Sequence, residues 1–430
     1  MEREIAVTTK VLIIGDDGVS SGYGRISGEI GRGLTKRGYQ VMSASLAYDG
    51  LLPAVYDGEP LPYHVASLQG KQNWWDYVTA IVNAYQPHVI WTVQDAPYSG
   101  IVRNAPLDWS RFAFIMTAAV DGAPIYPAWV ETAKQADAVL TISEFGVSAW
   151  AEAGVEVGLT RPGINPSKFW KIPAEGRAKI RAALGIAEDA FVLGMMCQNQ
   201  GRKDITGTLK AFFDFAKGKS TARLLLDMDE VSPAGWDIPS LCKQFNWDIN
   251  KIIFRSECMK KGITELRDRY NILDAHSVLA FREGFGLPIL EAMACGTVSM
   301  ALDWCAGTEV LKDGRGVLIP PIDYFLPSTW GGALDKLPDL KVMTEKLHWL
   351  ADNPEERLAM AKRGMDYART CTWDKAVDNA AQAIEGVLEK HKKSPAGYPA
   401  QSQDAIMQIP QTPTPSPDGI VKPVELLEAG

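Results

Sequence analysis

Apolar positions along the chain follow two alternating rhythms. VLIIG at 11–15 is a continuous strand-length run, too short for a helix and closed by Gly15. A glycine-rich turn follows through Asp17, Gly18, Ser20, Ser21, Gly22 and Gly24. Ile26, Ile30 and Leu34 then recur at helical spacing up to a stop at Gly38. The same exchange predicts strands at YQVMSAS, PHVIWTV (87–93), FAFIMTAAV (112–120) and ADAVLTIS (136–143). Strands separated by helices, and apolar along their whole length, predict parallel βαβ units covered on both faces.

A proline-marked segment, TRPGINPSKFWKIP at 160–173, interrupts the pattern, which then restarts. FVLGMMC (191–197), a helix over 204–217, RLLLDM (223–228), KIIFRS (251–256), SVLAF (277–281), TVSMAL (297–302) and GVLIP (316–320) make a second α/β series. The fold class is therefore α/β, with two Rossmann-like domains facing each other across a cleft. Ligands of such sheets sit outside the carboxyl ends of the strands, and both edges converge on that cleft. The expected division is 1–165, 166–371, a helix at 372–392 and a Pro-rich tail at 393–430. The tail holds seven of the 26 prolines and is expected to be disordered.

Composition narrows the class. With 46% hydrophobic and 22% charged residues the chain is an ordinary soluble mixture, which excludes a wholly disordered protein. No run approaches the ~20 apolar residues of a bilayer span. The opening MEREIAVTTKVLIIG carries Glu2 and Glu4 where a secretory signal is basic, so the chain is read as cytoplasmic. A net charge of -8 disfavours generic attraction to phosphate backbones or anionic lipid. The six cysteines include no CxxC pair, and the five histidines lack metal-ligand spacing, so neither a disulfide framework nor a metal site is expected.

The segment FREGFGLPILEAMACG, 281–296, carries the chemistry. A strand end, a tight turn with Gly284 and Gly286, and a helix start marked by Pro288 aim unpaired N–H groups into the cleft, which makes an anion site. Glu283 on the turn and Glu291 on the helix would repel a phosphate if aimed at it. They fit instead as acceptors for hydroxyls that flank a phosphate, one for a ribose and one for a sugar.

The spacing Glu283-x7-Glu291 within EGFGLPILEAMACG resembles the signature of retaining glycosyltransferases of the GT-B fold, family 4. SGYGRISGEIGRGLTKRGYQV, ADAVLTISEFG, RPGINPSKFW, QNQGRKDITGTLKAF and GTEVLKDGRGVLIP resemble other parts of that family, and TWDKAVDNAAQAIEGVL resembles its last helix, which crosses back to the first domain. The resemblance implies a nucleotide-diphosphate sugar as substrate, a UDP-sugar before a GDP-sugar, without cofactor or metal. It implies that Glu291 holds the donor ribose, that Glu283 lies beside the transferred sugar, and that the backbone of Gly284, Phe285, Gly286 and Leu287 lies near sugar and phosphate. Lys203 matches the lysine that neutralises the diphosphate, with Arg202 beside it. Gln198 stands where the family has an arginine, and Asp121 lies nearest the place of a family histidine. Gly22 and Gly24 belong to the first glycine loop, with donor contact expected. Arg25, Arg32 and Lys36 share a helical face and are read as solvated, and Glu309 is read as capping the helix it begins. The expected acceptor is a soluble hydroxyl compound, since residues 1–165 hold 11 Lys and Arg against 17 Asp and Glu. A hydroxymethylated pyrimidine in DNA is the alternative acceptor. A sugar-nucleotide epimerase and a non-catalytic nucleotide-sugar binder are the rival classes.

Overall fold

The computed structural model describes residues 8–50, 54–56, 58–71, 73–326 and 333–391. The expected Pro-rich tail lies outside the described residues. Two parallel sheets account for most of the strands. The first contains β1 (Lys10–Gly15), β2 (Gln40–Ser45), β3 (His64–Ser67), β4 (Val89–Val93), β5 (Ala113–Thr117), β6 (Ala138–Thr141) and β7 (Gly158–Leu159), in the spatial order β3-β2-β1-β4-β5-β6-β7. The second contains β8 (Val192–Met196), β9 (Arg223–Asp227), β10 (Ile252–Phe254), β11 (Ala275–Val278), β12 (Val298–Leu302) and β13 (Val317–Ile319), in the order β10-β9-β8-β11-β12-β13.

The period of two along each strand sorts side chains to opposite faces. In β1, Val11 and Ile13 face the first helix, Gly22–Lys36, through Ile26, Ile30 and Leu34. Leu12 and Ile14 face the other layer, with Ile81, Val82 and Trp150. The second sheet is divided likewise: Leu193 and Met195 pack with Leu209 and Phe212, while Val192 and Met196 pack with Tyr270 and Ile272. Burial on both faces is why these strands read as unbroken apolar runs.

Two strands of the first sheet were not expected from the pattern. Both β3 and β7 are short edge strands, and β7 has two residues. The expected strand at 277–281 instead ends at Val278 and starts at Ala275. Its last three residues, Leu279 to Phe281, leave the sheet, and the Phe281 N–H donates to the Arg202 carbonyl at 2.9 Å.

The last described helix, Trp373–His391, packs on the first helix through Val377, Ala380 and Ile384. Arg37 pairs with Asp378 at 2.5 Å, and Asn379 Nδ2 donates to the Leu159 carbonyl at 2.8 Å. The chain thus returns to the domain it started from. One apolar cluster runs from Ile26 and Ile30 through Val377 to Phe285, Ile289 and Met293, so it spans both sheets' territories. No described helix is long and apolar enough to cross a membrane.

Candidate active site

A cavity of about 380 Å³ lies between the two sheets, lined by both domains. The first helix and the helix Leu287–Ala294 both begin at it, so the positive ends of two helix dipoles face one space. Ser21 caps the first helix by accepting from the Gly24 N–H at 2.9 Å. Gly286 sits just before the second at φ +85°, a left-handed conformation that a side chain would strain.

Glu283 and Lys203 meet at the floor. Lys203 ends a short 3-10 turn, Gly201–Lys203, whose Arg202 carbonyl is tied to Phe281, two residues before Glu283. Asp204 follows at φ +45° and caps the helix Ile205–Phe215, accepting from the Gly207 N–H at 3.0 Å. This sharp change of direction brings Lys203 Nζ to 2.5 Å from Glu283 Oε2. Arg202 Nη1 is 3.7 Å from the same oxygen and donates to the Arg282 carbonyl at 3.0 Å. Burial by itself raises the Glu283 pKa. The charges of Lys203 and Arg202, with hydrogen bonds from Lys203 and the Gly286 N–H, outweigh it and hold the carboxyl below its ordinary value. Glu283 is an anion at neutral pH.

Gly284, Phe285, Gly286 and Leu287 line the cavity as expected, and Gln198 lines it too, its amide oxygen accepting from Gln200 at 2.7 Å. Cys197 is adjacent, but burial pushes its thiol up to about 11, so it stays protonated. Across the space stand Asp121 and Asp95 of the first domain. Asp121 Oδ1 is 3.9 Å from Arg282 Nη1, and the Asp121 carbonyl accepts from Cys305 Sγ at 2.9 Å. Asp95 accepts from the Tyr23 hydroxyl at 2.6 Å, while burial raises its pKa.

Glu291 is placed differently. It is 2% exposed and lies behind the cavity lining. Tyr270 donates to Oε2 at 2.8 Å, and Arg25 pairs with Oε1. Gly22 lines the cavity, whereas Gly24 does not: a Cβ there would meet the Val19 carbonyl oxygen at 2.1 Å, so its role is local packing.

Two readings of charged residues are corrected. The face of Arg25, Arg32 and Lys36 is not uniformly solvated. Arg25 crosses to the second domain, and Arg32 donates to the Tyr56 carbonyl at 2.7 Å; Lys36 alone is exposed. Glu309 does not cap its own helix but accepts from the Phe145 N–H at 3.1 Å, at the start of the first-domain helix Glu144–Glu152. Arg25, Tyr23, Asp95 and Tyr270 were missed as site residues. Tyr23 and Arg25 do stand within the SGYGR turn, which was the one signal available. Among the described residues, no three His, Cys, Asp or Glu side chains form a group able to hold a metal ion.

The architecture has solved counterparts. HepE from Anabaena, solved with UDP and glucose, matches with a TM-score of 0.69 and 15% identity over 88% of this chain and 100% of that one. Sucrose-phosphate synthase from Thermosynechococcus elongatus matches with 0.69 and 16%, over 89% of this chain and 100% of the other. Both likenesses concern the fold, and with the two sheets facing one cleft they define a GT-B architecture. Residues 252–324 match the family model of glycosyl transferases group 1. That match lies within the second sheet and the segments that follow its strands. A D-inositol 3-phosphate glycosyltransferase from Stackebrandtia nassauensis is 28% identical over 252 residues, 58% of this chain and 53% of the relative. One from Kineococcus radiotolerans is 28% identical over 253 residues, 56% and 52%. The chain spans about half the length of the curated relatives it matches.

Proposed function

We propose that the protein transfers a sugar from a nucleoside-diphosphate sugar, a UDP-sugar before a GDP-sugar, to a hydroxyl of a soluble acceptor with retention of configuration. The observation that carries this reading is the meeting of two helix starts with the Lys203, Arg202 and Glu283 cluster in one interdomain cavity. Breaking a glycosidic bond to a diphosphate moves negative charge onto the leaving oxygen and positive charge onto the sugar ring. Lys203, Arg202 and the N–H groups before Leu287 receive the first. The anionic Glu283 faces the second, and being ionised it cannot serve as the proton donor. In front-face attack the acceptor proton passes to the leaving phosphate oxygen, so the scheme needs no separate base and assigns the counter-charge to side chains rather than a metal.

The acceptor side is acidic. Arg25 is the one cation among the described first-domain residues lining the cavity, against Asp95 and Asp121. That favours an uncharged acceptor over a polyanion such as DNA. The test is donor turnover with UDP-, GDP- and ADP-sugars, measured with and without a panel of hydroxyl acceptors. Acceptor-dependent release of nucleoside diphosphate supports transfer. Isomerised donor would replace transfer with epimerisation, and tight binding with no turnover would leave a binder.

A further inference from the structure

Arg25 belongs to the first domain and ends on a carboxylate of the second. It stands in the first turn of the helix Gly22–Lys36, and its guanidinium pairs with Glu291 Oε1 while Tyr270 holds Oε2. Arg25 lines the cavity and Glu291 does not, so the guanidinium stands between that carboxylate and the open space. A ribose hydroxyl and a guanidinium are both donors, and they approach the same oxygen from the same side. A ribose seated on Glu291 therefore displaces Arg25. The freed cation is rooted beside the start of its own helix, which faces the cavity, and can turn to an anion seated there.

The second domain is short of positive charge for a diphosphate. Lys203 and Arg202 are both engaged by Glu283, and the third position nearby is the neutral Gln198. We propose that Arg25 is the missing diphosphate cation, supplied from the opposite domain. In the structure it rests on Glu291, and it turns onto the donor diphosphate when the ribose takes Glu291. One interdomain ion pair is thereby exchanged for an arginine–diphosphate contact, so the cleft stays bridged with donor seated. This rests on the reading of the cleft as a nucleoside-diphosphate-sugar site.

The experiment compares binding of UDP and UMP to the wild-type protein, Arg25→Gln and Arg25→Lys by calorimetry. If wild type binds GDP or ADP instead, that nucleotide and its monophosphate replace the uridine pair. Removing the competing ion pair alters affinity for both nucleotides alike, so the ratio of their dissociation constants isolates the contact to the second phosphate. A hydrogen-bonded charge pair predicts that the preference for the diphosphate falls about tenfold in Arg25→Gln. Arg25→Lys recovers part of it. An unchanged ratio overturns the proposal: with both nucleotides tighter, Arg25 is only a competitor for Glu291, and with both weaker it only supports the fold. Failure of the wild type to bind any nucleoside diphosphate would instead remove the donor reading itself.

Discussion

Glu283 and Lys203 form the tightest charged pair of the cavity floor, and the pairing separates binding from catalysis. Glu283→Gln releases Lys203 and Arg202 from their anion, so affinity for a nucleoside diphosphate is expected to hold or rise. Transfer should nevertheless slow by about 100-fold or more, the usual cost of losing one preorganised charge at the reacting centre. Parallel loss of both would mean that Glu283 only maintains the fold. With Lys203 and Arg202 as counter-charges, transfer is expected to continue in excess EDTA; abolition by EDTA and recovery with Mg²⁺ or Mn²⁺ would overturn that assignment. These residues were legible because their spacing is local: Glu283, its glycine turn and the helix start lie within one stretch of sequence. Arg25 was not. Its partner lies 266 residues away, and only the docking of the two domains decides whether a charged helix face meets water or a carboxylate.

Among secondary-structure elements, β11 holds a residue with a pH signature. His276 is fully buried, with Nδ1 3.2 Å from Ser299 Oγ and Nε2 without a partner. Burial lowers its pKa to about 3, so the unfolded chain takes up the proton first. Stability from this group is complete above about pH 6.5 and is lost as pH falls below it towards 3. Asp17 and Asp204 act oppositely: burial raises both to about 6, so the native state holds protons that the unfolded chain has released above about pH 4. Difference measurements isolate the histidine. Between pH 7.5 and 5, His276→Leu is expected to lose less of its urea midpoint than the wild type does. An equal loss would show that His276 is not buried as a neutral group. Here too the pattern was partly readable. Central strands announced themselves because both faces are apolar, whereas β3 and β7 are too short for any period to show. At 277–281 the apolar run continues past the sheet, because Leu279 and Ala280 are buried beyond the strand's end.

In the whole molecule, the last helix closes onto the first at a position that admits no side chain. A Cβ on Gly33 would lie 2.3 Å from Val377 Cγ2 and 2.7 Å from Cγ1. Gly33→Ala gains about 1 kcal/mol of helix propensity, but overpacking of this kind costs about 1–3 kcal/mol. A lowered melting temperature is therefore expected, with recovery in Gly33→Ala/Val377→Ala. Failure of the double substitution to recover would place the cost outside this contact. The return of the last helix was legible only through its resemblance to a family. An amphipathic face shows that a helix is covered, but not which domain covers it.

The outgoing and returning segments lie against each other where they pass between the halves. The Ile164 N–H donates to the Cys371 carbonyl at 3.0 Å, Ile164 and Thr372 form a parallel bridge, and a Cβ on Gly163 would come 2.2 Å from the Trp373 nitrogen. One strand of chain between two bodies is a swivel; two laid side by side are a pin. Sliding or twisting of the halves would have to shear the paired segments. Gly163→Ala wedges the pin apart from a position outside the cavity lining, one residue along from Pro162, and it should weaken nucleotide binding in a protein that still folds. Unaltered affinity would mean that the alignment of the jaws is held elsewhere. On this view the precision with which Arg25 meets its partner across the cleft is a matter of joinery, set at a joint whose paired residues stand outside the cavity lining.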